Sequence, residues 1–83
     1  MKLDFNVKLT TIPEVQDFVQ IASSCPYSVI VSHGRFVVDG TSLLGLFSLD
    51  LSNPVKVTIE NDSPTVDKGI FDRFAPYIVD EKI

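Results

Sequence analysis

The sequence contains one cysteine, Cys25, and one histidine, His33, and it has no tryptophan. A single cysteine cannot form an intramolecular disulfide, so the chain is not a disulfide scaffold and suits a reducing compartment. A single histidine without a cluster of cysteine ligands makes a poor metal site. We therefore expect no metal and no other cofactor.

Positive charge is also scarce. Seven Lys and Arg residues stand against eleven Asp and Glu residues, which gives a net charge of −4. An acidic chain without a basic cluster argues against nucleic acid or an anionic membrane as a partner. The longest apolar runs extend over only a few residues. The sequence thus predicts neither a membrane span nor a signal segment, and we expect a cytoplasmic protein.

The apolar residues that are present suffice for one core. They make up 45% of the 83 residues, a length near the small end of what folds without added cross-links. No repeat, linker or low-complexity segment divides the chain. We expect a single domain that spans residues 1–83.

The first part of the chain predicts a strand followed by a helix. Apolar and polar residues alternate from Leu3 to Thr10, which is typical of a strand with one buried face. Thr11-Ile12-Pro13-Glu14 has the form of a capping box with a proline in the first turn. Apolar residues at helical spacing come next, and the helix should end near Ser24 because Pro26 follows.

Two strands of a hairpin are predicted over residues 27–32 and 35–39. His33-Gly34 lies between them and predicts a tight turn in which the glycine supplies a positive φ. Both strands are apolar at successive positions rather than at alternate ones. The hairpin is therefore expected to expose some apolar surface outside the main core.

A short helix is predicted over Ser42–Leu49, with one hydroxyl of the Thr41-Ser42 pair as its N-cap. Three apolar residues at positions i, i+3 and i+4 should share one buried side: Leu43, Leu46 and Phe47. Leu44 does not lie on that side, and we expect it at the surface.

The last third of the chain predicts one strand and one helix. Alternating apolar residues from Val55 to Ile59 indicate a half-buried strand. Asp62-Ser63-Pro64 predicts the start of a final helix whose apolar side extends to Tyr77 and Ile78, although Pro76 should end or kink the last turn. The order β-α-β-β-α-β-α implies an α+β fold, with an antiparallel sheet and all helices on one face.

The stretch GRFVVDGTSLLGLFSLDL, residues 34–51, resembles the strand–loop–helix of the HPr family, the small phosphocarrier proteins of the bacterial sugar phosphotransferase system. The resemblance extends over residues 3–79. It implies an open-faced sandwich in which a four-stranded antiparallel sheet of order 1-4-2-3 carries three helices on one face.

The resemblance also implies roles for the short helix. Ser42 matches a serine that a dedicated kinase phosphorylates in many family members, so it is a candidate regulatory phosphorylation site. A phosphate there would sit on a helix N-terminus, although a plain N-cap explains the residue as well. Three residues match positions on or under the family's partner-docking surface: Leu43, Leu44 and Phe47.

The reactive residues of the family have no counterpart at the start of the first helix. There the family has a histidine that accepts the phosphoryl group and an arginine two residues later, whereas this chain has Thr11 and Pro13. No general base that would activate the Thr11 hydroxyl is visible nearby in the sequence. We interpret His33 as a solvated residue of the hairpin turn, at the end of the molecule opposite the first helix.

These features lead us to expect an HPr-like protein that has lost phosphoryl transfer and is not an enzyme. It would bind phosphotransferase components, or a transcriptional or metabolic regulator. Two alternatives stay open. The chain could be an active phosphocarrier that uses Thr11 or His33 as acceptor, or an unrelated ferredoxin-like ligand-binding domain with the strand order 4-1-3-2.

Overall fold

The structure, a computed structural model, describes residues 2–60 and 68–79. The elements in chain order are β1 (Lys2–Val7), α1 (Ile12–Ser24), β2 (Ser28–His33), β3 (Phe36–Asp39), α2 (Leu43–Phe47), β4 (Val55–Glu60), α3 (Lys68–Phe74), a 3₁₀ turn (Ala75–Tyr77) and β5 (Ile78–Val79). The predicted start of the last helix at Asp62-Ser63-Pro64 lies outside the described residues.

The strands form one antiparallel sheet of order β3-β2-β4-β1-β5. The order 1-4-2-3 implied by the resemblance is therefore confirmed, and the order 4-1-3-2 of a ferredoxin-like domain is not observed. The expected number of four strands is wrong, because β5 pairs with the outer edge of β1 opposite Asn6 and Val7.

The fifth strand exists because the last helix ends earlier than predicted. Pro76 has no backbone N–H, and α3 gives way at Phe74 to a 3₁₀ turn. The chain then reaches β1, where the amide of Lys8 donates to the carbonyl of Tyr77 at 2.9 Å. The prediction that Ile78 continues the helix is wrong, because Ile78 begins β5.

The hairpin between β2 and β3 closes one residue later than predicted. His33 pairs with Phe36 across the two strands, so Gly34 and Arg35 form the turn. Gly34 has a φ of +61° and Arg35 a negative one. This combination is typical of a type II′ turn, which favours glycine at its first central position.

The core lies between the three helices and one face of the sheet. Four valines of the inner strands are buried in it, and each helix adds a fully buried side chain; these residues are Val7, Val31, Val55, Val57, Phe18, Leu46 and Phe74. The helices thus cover one face of the sheet, and the open-faced α+β sandwich is confirmed. Thr58 and Lys56 contact Asp4 on the other face.

The C-terminal segment is attached to α1 by a side-chain hydrogen bond, in which the hydroxyl of Tyr77 donates to the carboxylate of Asp17. This bond, followed by partial burial and nearby negative charge, raises the pKa of Tyr77 to about 12. An unfolded tyrosine titrates near pH 10. The folded state therefore keeps the phenolic proton over a range of pH in which the unfolded state loses it.

We expect the free energy of unfolding to fall as the pH rises from 10 to about 12, because the contribution of Tyr77 is fully present below pH 10 and is lost above its folded pKa. Tyr77→Phe should remove this dependence and cost about 1 kcal/mol at neutral pH. Urea titrations at a series of pH values measure both effects. Tyr27→Phe is the matched control, and an unchanged pH profile in Tyr77→Phe would contradict the assignment.

Candidate functional site

The predicted capping box at the start of α1 is confirmed. Thr11 is the N-cap residue, and its hydroxyl accepts the amide of Glu14 at 3.3 Å. The Glu14 carboxylate accepts in return the amides of Thr10 at 2.8 Å and Thr11 at 3.0 Å. It also accepts the hydroxyl of Thr10 at 2.6 Å. A negatively charged side chain of the protein itself thus accepts the two backbone amides that immediately precede the helix.

The electrostatics of the tip follow from these bonds. The hydroxyl of Thr10, followed by the backbone amides of Thr10 and Thr11, holds the pKa of Glu14 below its ordinary value. The carboxylate therefore stays ionised at neutral pH and complements the positive end of the helix. Pro13 lies in the first turn, where it offers neither an N–H nor a cation to an anionic ligand.

We expect Thr11→Ala to lower the free energy of unfolding by about 1 kcal/mol, because the substitution leaves the amide of Glu14 without its acceptor. Urea denaturation at neutral pH measures this loss.

Glu14→Gln tests the carboxylate. Because the folded pKa of Glu14 is depressed, its charge stabilises the protein above pH 4.5, and this stabilisation is lost as the pH falls through the folded pKa. The difference in stability between the natural protein and Glu14→Gln should therefore shrink on acidification. Gln16→Ala, on the exposed side of the same helix, is the control. A difference independent of pH would show that the charge makes no contribution.

The position of His33 differs from its predicted one. β1 and β2 both run antiparallel to β4, so the C-terminal ends of β1 and β2 lie at the same end of the sheet, beside the start of β4. The prediction that His33 lies at the end opposite the start of α1 is therefore wrong. β4 lies between the two strands, which places them roughly 10 Å apart within the sheet.

The imidazole of His33 is half-buried rather than solvated. Its Nδ1 atom is buried, and among the described residues it has no hydrogen-bond partner. Asp50, in the loop after α2, has a pKa below its ordinary value, mainly through hydrogen bonds from Ser52 and to a smaller extent through the charge of His33. The interpretation of His33 as a solvated turn residue is wrong, because the residue belongs to β2 and the turn begins after it.

The N-cap of α2 is Ser42, whose Oγ accepts the amide of Gly45 at 3.0 Å. Thr41, the other candidate, binds Asp39 instead with its amide and its hydroxyl. The structure thus places Ser42 half-buried at the start of a helix of five residues. Its phosphorylation stays a prediction.

The three docking candidates on α2 differ in exposure. Leu43 is half-buried, whereas Leu44 is 82% exposed, as expected for a residue away from the buried side. Phe47 is 43% exposed, so the prediction that it is buried is wrong. The reason is that α2 ends at Phe47, and Leu49 after the turn joins Leu46 in the core.

Phe47 lines a groove of about 310 Å³ between the start of α1 and the loop after α2. Lys8, Ile12 and Leu51 also line it. Leu43 lines a second groove of about 500 Å³ along the outer side of α1, together with Val19 and other residues. Phe47 and Leu43 therefore line two different grooves beside α1, and Leu44 lines neither of them.

Sequence reasoning missed Ile12, which is 61% exposed beside the groove. The signal was present, because an apolar residue inside the capping box precedes the buried stripe that begins at Val15. Three exposed apolar side chains of the helix layer, Ile12, Leu44 and Phe47, form what we call the helix-layer surface. Leu44 and Phe47 share one side of α2 at spacing i, i+3.

Solved structures of phosphocarrier proteins have the same arrangement of strands and helices. HPr-C-His from Thermoanaerobacter tengcongensis superposes with a TM-score of 0.70 at 23% identity, over 92% of this chain and 88% of that one. The chain has the HPr fold. The phosphocarrier protein HPr from Bacillus anthracis str. Ames superposes with a TM-score of 0.63 at 18% identity, over 95% of this chain and 96% of that one.

The likeness to HPr proteins is one of fold, because the sequences are only 23% and 18% identical. No protein-family model and no curated protein matches the chain. Within residues 2–60 and 68–79 of this HPr-like structure, no group of three or more His, Cys, Asp or Glu residues is placed to hold a metal ion. None of the helices in the described ranges is long and apolar enough to span a membrane.

Proposed function

We propose that this protein is a cytoplasmic HPr-like binding module that docks other proteins and carries no phosphoryl group at the start of α1. It is not an enzyme. The observation that supports the proposal is the self-capped tip of α1, where the carboxylate of Glu14 takes the amides of Thr10 and Thr11.

Phosphoryl transfer needs a nucleophile, and the phosphate needs a positively charged environment. At this tip the residue that matches the family's acceptor is Thr11, whose hydroxyl already accepts the amide of Glu14 in the helix cap. A guanidinium would hold a phosphate with two hydrogen bonds, but Pro13 stands in the matching position. A phosphate on Thr11 would also lie close to the negative charge of Glu14, whose Oε1 atom is 3.0 Å from the amide of Thr11, and this repulsion costs energy.

The helix-layer surface supports the docking part of the proposal. Leu44 and Phe47 project from a short helix whose position is fixed by the buried Leu46. Exposed apolar side chains next to a groove are typical of surfaces that bind proteins. We propose that the partner is a phosphotransferase component or a transcriptional or metabolic regulator that inserts an apolar side chain into the groove beside Ile12 and Phe47.

Ser42 is the proposed position of regulation. A phosphate on it would lie beside the amide of Gly45, which its hydroxyl already engages. It would add negative charge one residue before Leu43 and two before Leu44, and so would weaken the docking of a partner that contacts these apolar side chains.

Phosphoryl transfer is tested by incubating the protein with the general phosphotransferase enzyme and labelled phosphoenolpyruvate. We expect no label, whereas the phosphocarrier protein HPr from Bacillus anthracis in the same mixture should be labelled. Acid-labile label would overturn the proposal in favour of His33, and acid-stable label would point to Thr11. His33→Ala and Thr11→Val would then locate the modified residue.

Docking is tested separately by a pull-down from a bacterial lysate. Leu44→Asp and Phe47→Asp should each lose the captured protein, because a charge would be buried at the contact. Val37→Asp is the matched control, since Val37 is also exposed but lies on the sheet edge. Capture that survives both α2 substitutions, or that is lost only with Val37→Asp, would contradict the proposed surface.

A further inference from the structure

The β3 edge of the sheet has exposed apolar side chains. In the described part of the chain β3 has β2 as its strand neighbour and no strand on its other side. Phe36 and Val37 in this strand are 65% and 64% exposed. Edge strands of soluble proteins commonly carry lysine or proline, which discourage pairing with another strand. The sequence of β3, Phe-Val-Val-Asp, has neither.

The backbone groups that point away from β2 can be assigned. The amide of Gly40 donates to the carbonyl of Val29 at 2.8 Å, so the backbone of Gly40 faces β2. Because the direction alternates along a strand, Phe36 and Val38 also face β2. The N–H and C=O groups of Val37 and the N–H group of Asp39 therefore face outward.

The sequence around β3 is complementary to itself when two copies run antiparallel about Val37. Val37 then faces Val37 of the second copy, and Phe36 faces Val38. Arg35, just before the strand, faces Asp39 at its end. The pairing thus brings together apolar residues at the centre and opposite charges at both ends, which are favourable cross-strand pairs.

We infer that β3 is a self-association edge, on which the protein pairs with a second copy of itself to join two five-stranded sheets into one. The two Val37 residues would exchange a pair of backbone hydrogen bonds at the twofold axis. The amide of Asp39 in each copy would donate to the carbonyl of Arg35 in the other copy. The outward-facing N–H and C=O groups of Val37 and the N–H group of Asp39 would then all be hydrogen-bonded.

The side chain of Asp39 is held in one orientation by hydrogen bonds within the protein. Its Oδ1 atom accepts the amide of Thr41 at 2.9 Å and the hydroxyl of Thr41 at 2.8 Å. These bonds, first from the amide and then from the hydroxyl, keep the pKa of Asp39 below its ordinary value, so the carboxylate is charged at neutral pH. Its orientation is fixed, and Arg35 on the exposed turn can reach it from the second copy.

The strength of this contact is limited by its size. β3 has four residues, so the interface buries less than the roughly 1,000 Å² that a stable complex needs. The dimer is therefore weak and exchanges with the monomer. This weak pairing uses the outer backbone edge of β3, on which α2 packs through Gly45 beside Val38, and it does not depend on the proposed docking function.

The test is a dilution series between about 20 µM and about 1 mM, which covers weak, micromolar to millimolar dissociation constants, followed by analytical ultracentrifugation and amide exchange by NMR. The average mass should rise with concentration, and the amides of Val37 and Asp39 should gain protection. The amides of Val38 and Gly40 face β2 and should be protected at every concentration. A protein that stays monomeric throughout, or protection that appears at α2 instead, would overturn the inference.

Substitutions test the predicted register. Val37→Lys should weaken association at least tenfold, because two like charges would face each other. Leu44→Lys, an equivalent change at an exposed leucine on α2, should leave it unchanged. An equal loss in both variants would indicate a non-specific effect of charge and would overturn the inference.

Reversing the charge of Arg35 or Asp39 tests the predicted charge pairs, because association through apolar contacts alone would not depend on these charges. Arg35→Glu alone and Asp39→Arg alone each place like charges opposite each other, so each should stay monomeric. A mixture of the two variants restores both opposite-charge pairs and should associate. Circular dichroism establishes that each variant is folded. Failure of two folded variants to associate when mixed would rule out the register. If Asp39→Arg does not fold, the concentration-dependent protection of the Val37 and Asp39 amides in the natural protein decides whether β3 pairs with a second copy.

Discussion

Phe74→Ala is expected to lower the free energy of unfolding by about 3–5 kcal/mol, the range for the loss of a fully buried aromatic side chain. Phe74 is fully buried, and its ring centroid lies 5.2 Å from that of Phe18 and 5.7 Å from that of Phe5. It thus joins α3 to α1 and to β1. Removing the ring leaves a cavity where three elements meet, and tilted ring contacts of this kind add to the loss.

Urea denaturation at low protein concentration measures this effect. Phe36→Ala is the matched control, because the same atoms are removed from a side chain that is 65% exposed, and its cost should stay below about 1 kcal/mol. Since domains of this size are stable by only about 5–15 kcal/mol, Phe74→Ala should remove a large share of the total stability. Equal costs for the two variants would contradict the described core.

Leu46→Ala should lower the free energy of unfolding by about 2–5 kcal/mol. Leu46 is fully buried at the centre of a five-residue helix, and a helix this short has little stability of its own. The side chain of Leu46 and the cap at Ser42 therefore hold α2 in place. Loss of Leu46 should also disorder the side chains of Leu44 and Phe47, which α2 presents to a partner.

Leu44→Ala is the control for this experiment, because the same change occurs two residues away on the same helix at a side chain that is 82% exposed. Its cost should lie within about 0.5 kcal/mol of zero. Thermal unfolding followed by circular dichroism compares the two, and a difference of 1 kcal/mol corresponds to about 4–8 °C in a domain of this size. A larger destabilisation in Leu44→Ala than in Leu46→Ala would mean that α2 packs through its other side.

The capping box shows how much of the candidate site could be predicted. Thr11 and Glu14 stand three residues apart, and their bonds form within one turn of helix, so the local sequence is sufficient to specify them. The absence of a histidine and an arginine at this tip is likewise a property of the sequence alone. The position of His33 is different, since it depends on which strands are neighbours and in which direction they run.

The C-terminal segment and Phe47 show where local patterns failed. Helical spacing placed Ile78 on α3 and Phe47 in the core, but Ile78 pairs with β1 and Phe47 is exposed. In both cases a helix ends earlier than the apolar spacing predicts. Leu49 takes the core position near α2, which leaves Phe47 at the groove.

The sequence by itself determined the elements whose signals are local: the alternation in β1 and β4, the cap of α1, and the missing acceptor at Thr11. Its resemblance to a known family supplied the sheet order. The tertiary structure decided the fifth strand, the side of the molecule on which His33 lies, and the exposure of Ile12 and Phe47. The physical reason is range: capping bonds and periodicity act between residues a few positions apart, whereas burial and strand pairing depend on residues that are distant in the chain.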